Sequence, residues 1–148
     1  MVILENEEAT LDLGRKLGTL LRAGDKIAMT GTLGVGKTTL ARGILEGLGY
    51  HGEVPSPTFA IVQQYEPPET RIAAAHIDLY RIEDPDEIPE LGLEDTLIDG
   101  AMIVEWPDRM PQSFWKDALN IELEITGEDN RRLTWAAGNA WNNRWPLT

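Results

Sequence analysis

Eight consecutive residues, Gly31-Thr32-Leu33-Gly34-Val35-Gly36-Lys37-Thr38, fill every fixed position of the pattern G-x-x-x-x-G-K-[ST]. Glycines at these places let backbone N–H groups converge on a phosphate, where a side chain would block the approach. Lys37 adds a positive charge for the β- and γ-oxygens, and the Thr38 hydroxyl suits magnesium. The ligand these residues call for is a nucleoside triphosphate. Chance would produce the pattern in roughly half a percent of chains this long, and the surroundings make chance a poorer explanation still.

Such a loop works only between a strand and a helix, and the flanking sequence supplies both. Lys26-Ile27-Ala28-Met29-Thr30 is a short apolar run preceded by Gly24-Asp25, which predicts a buried strand. After the loop, Leu40, Ala41, Ile44, Leu45 and Leu48 fall on one helical face, with Gly47 and Gly49 marking the expected end. Upstream, Asn6 is a suitable N-cap, Glu7 and Glu8 favour the first turn, and Leu13, Leu17, Leu20 and Leu21 form an apolar stripe that Gly24 should end. The leucines read as core, while Thr10 near the start of that helix is a candidate to border the nucleotide.

Carboxylates and hydroxyls that could complete the site come from further along. In Val54-Pro55-Ser56-Pro57-Thr58-Phe59 two prolines stiffen an extended loop carrying hydroxyls, which suggests either a switch sensing the γ-phosphate or a plain connector. Residues 59–65 and 71–79 read as antiparallel strands joined by Glu66-Pro67-Pro68-Glu69-Thr70, so a mixed sheet is predicted. Period two puts His76 and Asp78 on one face, emerging together at the strand's far end, as a structural or a catalytic pair. Asp84-Pro85-Asp86-Glu87 opens a short, acidic, irregular helix that Gly92 should close. Ala101-Met102-Ile103-Val104-Glu105-Trp106 is a continuous apolar run ending in a carboxylate, the pattern of a parallel core strand delivering an acid to the metal. Glu105 therefore ranks above Asp78, whose strand is interrupted and alanine-rich, and Trp106 reads as core or pocket wall. Residues 119–126 and 132–137 form an expected hairpin across Gly127-Glu128-Asp129-Asn130, and Trp135, Trp141 and Trp145 should pack the C-terminal segment onto the sheet.

Composition narrows the function. With 148 residues the chain has the size of one domain, and with no cysteine it offers neither disulfides nor thiolate metal ligands. A metal would be held by oxygen. The acidic N-terminus lacks the character of a secretory signal and no run is long enough to span a membrane, so a cytoplasmic, soluble protein is expected. There are 25 acidic residues against 13 basic ones, a formal charge of −12, and such a field repels nucleic acid. The acid excess either maintains solubility or meets a basic surface on a partner protein.

Taken together, four separated blocks resemble the TsaE (YjeE) family. They are the phosphate loop continued to Thr39, Val54-Pro55-Ser56-Pro57-Thr58-Phe59, His76-Ile77-Asp78-Leu79-Tyr80-Arg81, and Val104-Glu105-Trp106-Pro107. The resemblance implies an α/β fold, a P-loop NTPase-like three-layer sandwich with a mixed central sheet flanked by helices, as a single ATPase domain over residues 1–148. It also implies ATP and Mg2+ as ligands and the TsaB and TsaD proteins as partners in making threonylcarbamoyladenosine in tRNA, with no direct contact to RNA.

Carried onto this sequence, the resemblance puts Leu33, Gly34, Val35, Gly36 and Lys37 on the phosphates, Thr38 and Glu105 on magnesium, and Thr39 near the α-phosphate. Asp78 matches a required carboxylate and Thr58 the switch position. Thr10, Trp106 and Arg131 match nucleotide contacts, with Arg132 as the competing register for the last. Thr32 and Val35 depart from the family's usual residues without removing chemistry, and residues 138–148 match nothing in it. Hydrolysis by in-line attack of water, oriented by Asp78 or Thr58, is the expected reaction, slow in the isolated protein. A small-molecule kinase and an ATP sensor without hydrolysis are the alternatives.

Overall fold

A computed structural model describes residues 1–32, 34–54, 62–80, 82–141 and 144. In chain order the elements are β1 (Val2–Leu4), α1 (Glu7–Leu20), β2 (Lys26–Thr30), α2 (Lys37–Gly47), β3 (Val62–Tyr65), β4 (Ala73–Asp78), α3 (Leu93–Asp99), β5 (Gly100–Glu105), β6 (Leu119–Ile125) and β7 (Arg131–Ala137). Short 3-10 segments lie at Pro85–Leu91, Pro107–Arg109, Gln112–Trp115 and Asn139–Trp141. Among the described residues no helix is long and apolar enough to cross a membrane.

The strands make one seven-stranded sheet in the order β1-β7-β6-β2-β5-β4-β3. β2 runs parallel to both β5 and β6, and β4 parallel to β5, while the β6–β7, β1–β7 and β3–β4 pairs are antiparallel. Register decides where the chemistry collects. Met29 stands opposite Glu105 and Asp78 opposite Glu105, so the end of β2 and both carboxylates share the carboxyl edge of the sheet. Ligands of open α/β sheets bind outside that edge.

Each face of the sheet has its own core, as the period-two alternation requires. One holds Ile27, Met29, Ala101 and Ile103 against Leu13, Leu17 and Leu21 of α1 and its exit, and Leu40, Ile44 and Leu45 of α2. The other holds Ala28, Ala75, Ile77, Met102 and Val104 with Leu93, Trp115 and Ile88. α1 and α2 touch through glycine. A Cβ on Gly14 would come within 2.6 Å of the Leu40 carbonyl oxygen, and one on Gly18 within 2.2 Å of that of Ile44. Gly43 and Gly47 of α2 sit against Gly14 and Gly18 in turn. This backbone contact holds the start of α1 beside the start of α2.

Several expectations are met and several need correction. Asn6 caps α1, its Oδ1 accepting from the Ala9 amide at 2.8 Å. The helix ends at Leu20 rather than Gly24, because Leu21 turns extended and drops into the core, while Gly24 (φ 92°) makes the turn into β2. β1 has no counterpart in the sequence reading, since three residues are too few to show a period. β4, judged too interrupted for a core strand, is one: it pairs parallel with β5 and its residues from Ala74 to Asp78 are buried. Its alanines fit because a sheet covered on both faces needs small residues as well as large ones.

Gly92 closes the acidic segment as expected, its amide donating to the Pro89 carbonyl at the end of the Pro85–Leu91 3-10 turn. It sits in the left-handed region (φ 64°) and links the 3-10 segment to α3. The hairpin of β6 and β7 is present, with Ile121 opposite Trp135. Trp141 is buried and Trp135 packs against the same core. Phe59 to Ile61, with which β3 was expected to begin, lie outside the described residues, as does Trp145. The C-terminal stretch that matched no motif has a structural role. Arg144 forms a two-pronged, buried ion pair with Asp25, at 2.7 and 2.8 Å, and Arg144 also donates to the Leu20 carbonyl.

The glycine contact predicts an asymmetric response to alanine. Gly18→Ala should destabilise by about 1–3 kcal/mol or more, since the blocking atoms are backbone, lowering the midpoint of thermal unfolding by roughly 2–9 °C. Gly127→Ala, whose Cβ would meet nothing nearer than 3.7 Å, should stay within about 0.5 kcal/mol of wild type. Thermal unfolding followed by circular dichroism checks both.

Candidate functional site

The loop between β2 and α2 is shaped by its glycines. Gly31, Gly34 and Gly36 all have positive φ, at 146°, 76° and 113°. A Cβ on Gly31 would collide with the Leu123 carbonyl oxygen at 2.7 Å, so that glycine is required by packing. Gly34 and Gly36 differ, because Cβ atoms there would meet nothing within 4 Å. Their left-handed conformation turns backbone toward open space at the N-terminus of α2, which is an anion-binding geometry. Leu33 lies outside the described residues.

Lys37 is 4% exposed, with its Nζ donating to the Gly31 carbonyl at 2.7 Å and lying 3.6 Å from the centre of the Trp106 ring. Burial lowers its pKa from the ordinary lysine value, while the charges of Glu105, Asp78 and Asp108 act in the opposite direction. A buried ammonium facing carboxylates stabilises added negative charge more strongly than a solvated one would, because less dielectric lies between them.

Glu105 and Thr38 meet at the carboxyl edge. The Thr38 hydroxyl lies 3.3 Å from both Glu105 oxygens, and His76 Nε2 lies 2.6 Å from Oε2. Asp78, on the neighbouring strand, accepts from the Tyr80 amide at 2.9 Å. His76 and Asp78 do share a face, yet His76 does not emerge there: it is wholly buried, with Asp78 5% exposed. Among the described residues no group of three or more His, Asp or Glu side chains could hold a metal unaided. Thr38 and Glu105 offer a hydroxyl and a carboxylate, a donor set that suits magnesium when phosphate oxygens and water complete the shell.

A cavity of about 270 Å³ opens on the other side of the loop. Thr10, Gly34, Val35, Gly36, Thr39 and Arg131 line it, together with Asn6, Glu7 and Asp129. Three residues separated widely in sequence, Thr10, Thr39 and Arg131, are thus brought to one place. The start of α1 reaches it through the glycine contact with α2. The two candidate arginines lie in different places: Arg131 Nε donates to the Val35 carbonyl at 2.9 Å, whereas Arg132 pairs with Glu124. Alternation along β7 puts neighbouring residues on opposite faces.

Trp106 is not in this cavity. It lines a separate hollow of about 570 Å³ with Thr30, Gly31, Thr32, Asp108 and β6 residues, and its ring lies against the Lys37 ammonium. Its φ of 61° makes it the one non-glycine residue with positive φ among those described, a conformation that costs of order 1 kcal/mol and is concentrated at functional positions. Thr58 lies outside the described residues. Asn6 and Glu7 read in the sequence as helix-start residues and Asp129 as part of a turn, and no local pattern places them at this cavity. His76 was noticed, but its partner was not. Finding it requires the β4–β5 register, which sets Asp78 opposite Glu105 and so brings His76, two residues earlier on the same face, beside that carboxylate.

Comparison with known proteins points to one family. The family model described as Threonylcarbamoyl adenosine biosynthesis protein TsaE matches residues 4–133. A tRNA threonylcarbamoyladenosine biosynthesis protein TsaE from Streptomyces coelicolor is 40% identical over 128 residues, covering 83% of this chain and 86% of its own. Its counterpart from Bacillus subtilis is 34% identical over 138 residues, with 92% and 85% covered. The crystal structure of Bacillus subtilis YdiB superposes with a TM-score of 0.74 at 28% identity, over 95% of this chain and 87% of that one.

The two arginines give a direct check of the loop. Arg131→Ala removes a charged donor from Val35 and should speed amide hydrogen exchange across residues 34–36 by about tenfold, the effect of a contact worth roughly 1.5 kcal/mol. Arg132→Ala removes only a half-exposed surface pair and should leave that exchange unchanged.

Proposed function

The chain belongs to the TsaE family and takes part in tRNA threonylcarbamoyladenosine biosynthesis, and on that premise we propose that it is a magnesium-dependent ATPase working with TsaB and TsaD. In this reading the chain is one P-loop NTPase-like domain, a three-layer sandwich, active in the cytoplasm. The observation that carries it is the loop itself. Two left-handed glycines leave a cradle open beneath a buried lysine, and the first hydroxyl of the following helix points at a strand-end carboxylate.

Each side chain has a role. The amides of residues 33–37 grip the β-phosphate, and Lys37 leaves the Gly31 carbonyl for the β- and γ-oxygens. Thr38 and Glu105 would hold magnesium, directly or through water, and the ion would supply charge neutralisation to the phosphates. Thr39, Thr10 and Arg131 border the nucleotide in the cavity beside the loop, and Trp106 acts on it through Lys37. Water attacks the γ-phosphorus in line, the bond to the bridging oxygen breaks, and ADP and phosphate leave. Asp78 or Thr58 orients that water. Arg131 is engaged with the Val35 and Asn130 carbonyls, and among the described residues no arginine is assigned to the γ-phosphate. Turnover alone is then slow, because an arginine finger contributes on the order of a thousandfold or more.

The acidic surface, at a formal charge of −12, fits action through proteins rather than on RNA. Lys37→Ala should weaken MgATP binding about ten- to a hundredfold in calorimetry, as removal of charge-assisted contacts of roughly 1.5–3 kcal/mol implies. Unchanged affinity would refute the assignment. Co-purification with TsaB and TsaD should differ between ATP, ADP and nucleotide-free conditions, and phosphate release should rise when both are present. Silence in the phosphate assay under every condition would leave binding without hydrolysis.

A further inference from the structure

A carboxylate buried at the end of a parallel strand needs a donor for each oxygen that water cannot reach. Glu105 is 4% exposed and has two such groups around it. The Thr38 hydroxyl is equidistant from both oxygens at 3.3 Å, too long to fix the carboxylate's rotation. His76 Nε2, at 2.6 Å from Oε2, is short enough to do so. The ring has no freedom of its own: His76 is fully buried on β4, registered between Gln63 of β3 and Ile103 of β5.

The second ring nitrogen tells what the histidine is for. Nδ1 is buried and has no hydrogen-bond partner among the described residues. A proton there would face no acceptor, whereas a proton on Nε2 faces a carboxylate oxygen, so the surroundings select Nε2–H. A histidine kept only for core cohesion would gain from bonding through both nitrogens. This one leaves half its capacity unused and commits the other half to one oxygen of Glu105.

We propose that His76 is a positioning residue that fixes the Glu105 carboxylate through Nε2–H, so that its remaining lone pairs face Thr38 and magnesium. The proposal rests on the reading of Glu105 as a metal ligand. Partners that orient a ligating group contribute about ten- to a hundredfold to metal affinity or activity. His76 acts through Glu105, and its effect should be confined to the metal-dependent part of nucleotide binding.

Glutamine and asparagine separate this role from packing. A glutamine amide nitrogen reaches where Nε2 sits, while that of asparagine reaches only where Nδ1 sits. ADP affinity is measured by calorimetry with and without magnesium for wild type, His76→Gln and His76→Asn. The magnesium-dependent gain should fall about tenfold in His76→Asn and be largely retained in His76→Gln. Metal-free affinity should be the same in all three, which also shows that the variants fold. Nitrogen-15 NMR of the wild-type imidazole should find the proton on Nε2 and a bare Nδ1. A gain that survives in both variants, a loss equal in both, or a proton on Nδ1 overturns the role of His76 alone. No magnesium-dependent gain in wild type overturns the metal reading of Glu105 and this proposal with it.

Discussion

Burial of the Lys37 ammonium under its own loop is the constraint around which the molecule is arranged. A buried charge is tolerated only where opposing charge and hydrogen bonds surround it. Here those are the Gly31 carbonyl, the Trp106 ring, and the carboxylates of Glu105, Asp78 and Asp108. To supply them, the ends of β2, β5 and β4 must fall at one level. The parallel register of these three strands does this, and the register in turn requires helices to cross over the sheet. The energetic requirement at one side chain is therefore met by the topology of the sheet.

A second requirement is that the start of α1 come to the loop. Leucine contacts alone would hold two helices 8–10 Å apart with latitude in their offset. The Gly14–Gly43 and Gly18–Gly47 approaches remove that latitude, because backbone meets backbone. Thr10, one turn before Gly14, is consequently set into the cavity beside Gly34 and Gly36. Arg131 comes to the same cavity from β7 at the far side of β6. Helix packing and sheet order act on the same cavity.

The parts of this arrangement that are local in sequence were readable in advance. A phosphate loop, a capped amphipathic helix, a strand ending in Glu105 and a hairpin around Gly127-Glu128-Asp129-Asn130 each declare themselves within a short stretch. What could not be read depends on contacts between distant segments. Gly14 and Gly18 look like weak points in a helix until Gly43 and Gly47 are seen against them. His76 looks like half of a pair with Asp78 until the β4–β5 register brings Glu105 beside it. Arg131 and Arg132 are equivalent in sequence and opposite in orientation on β7. β4 was undervalued because alanine weakens the apolar signal, although a strand covered on both faces accepts it readily.

The central claim is that backbone amides after β2, with Lys37 and Thr38, form the nucleotide cradle. Amide NMR of isotopically labelled protein titrated with ADP and magnesium tests it most directly. The account predicts that the largest shifts fall on Gly34, Val35, Gly36, Lys37 and Thr38, with smaller ones at Thr10 and Arg131. Saturating nucleotide that leaves those amides unmoved, or moves a different region instead, would contradict it.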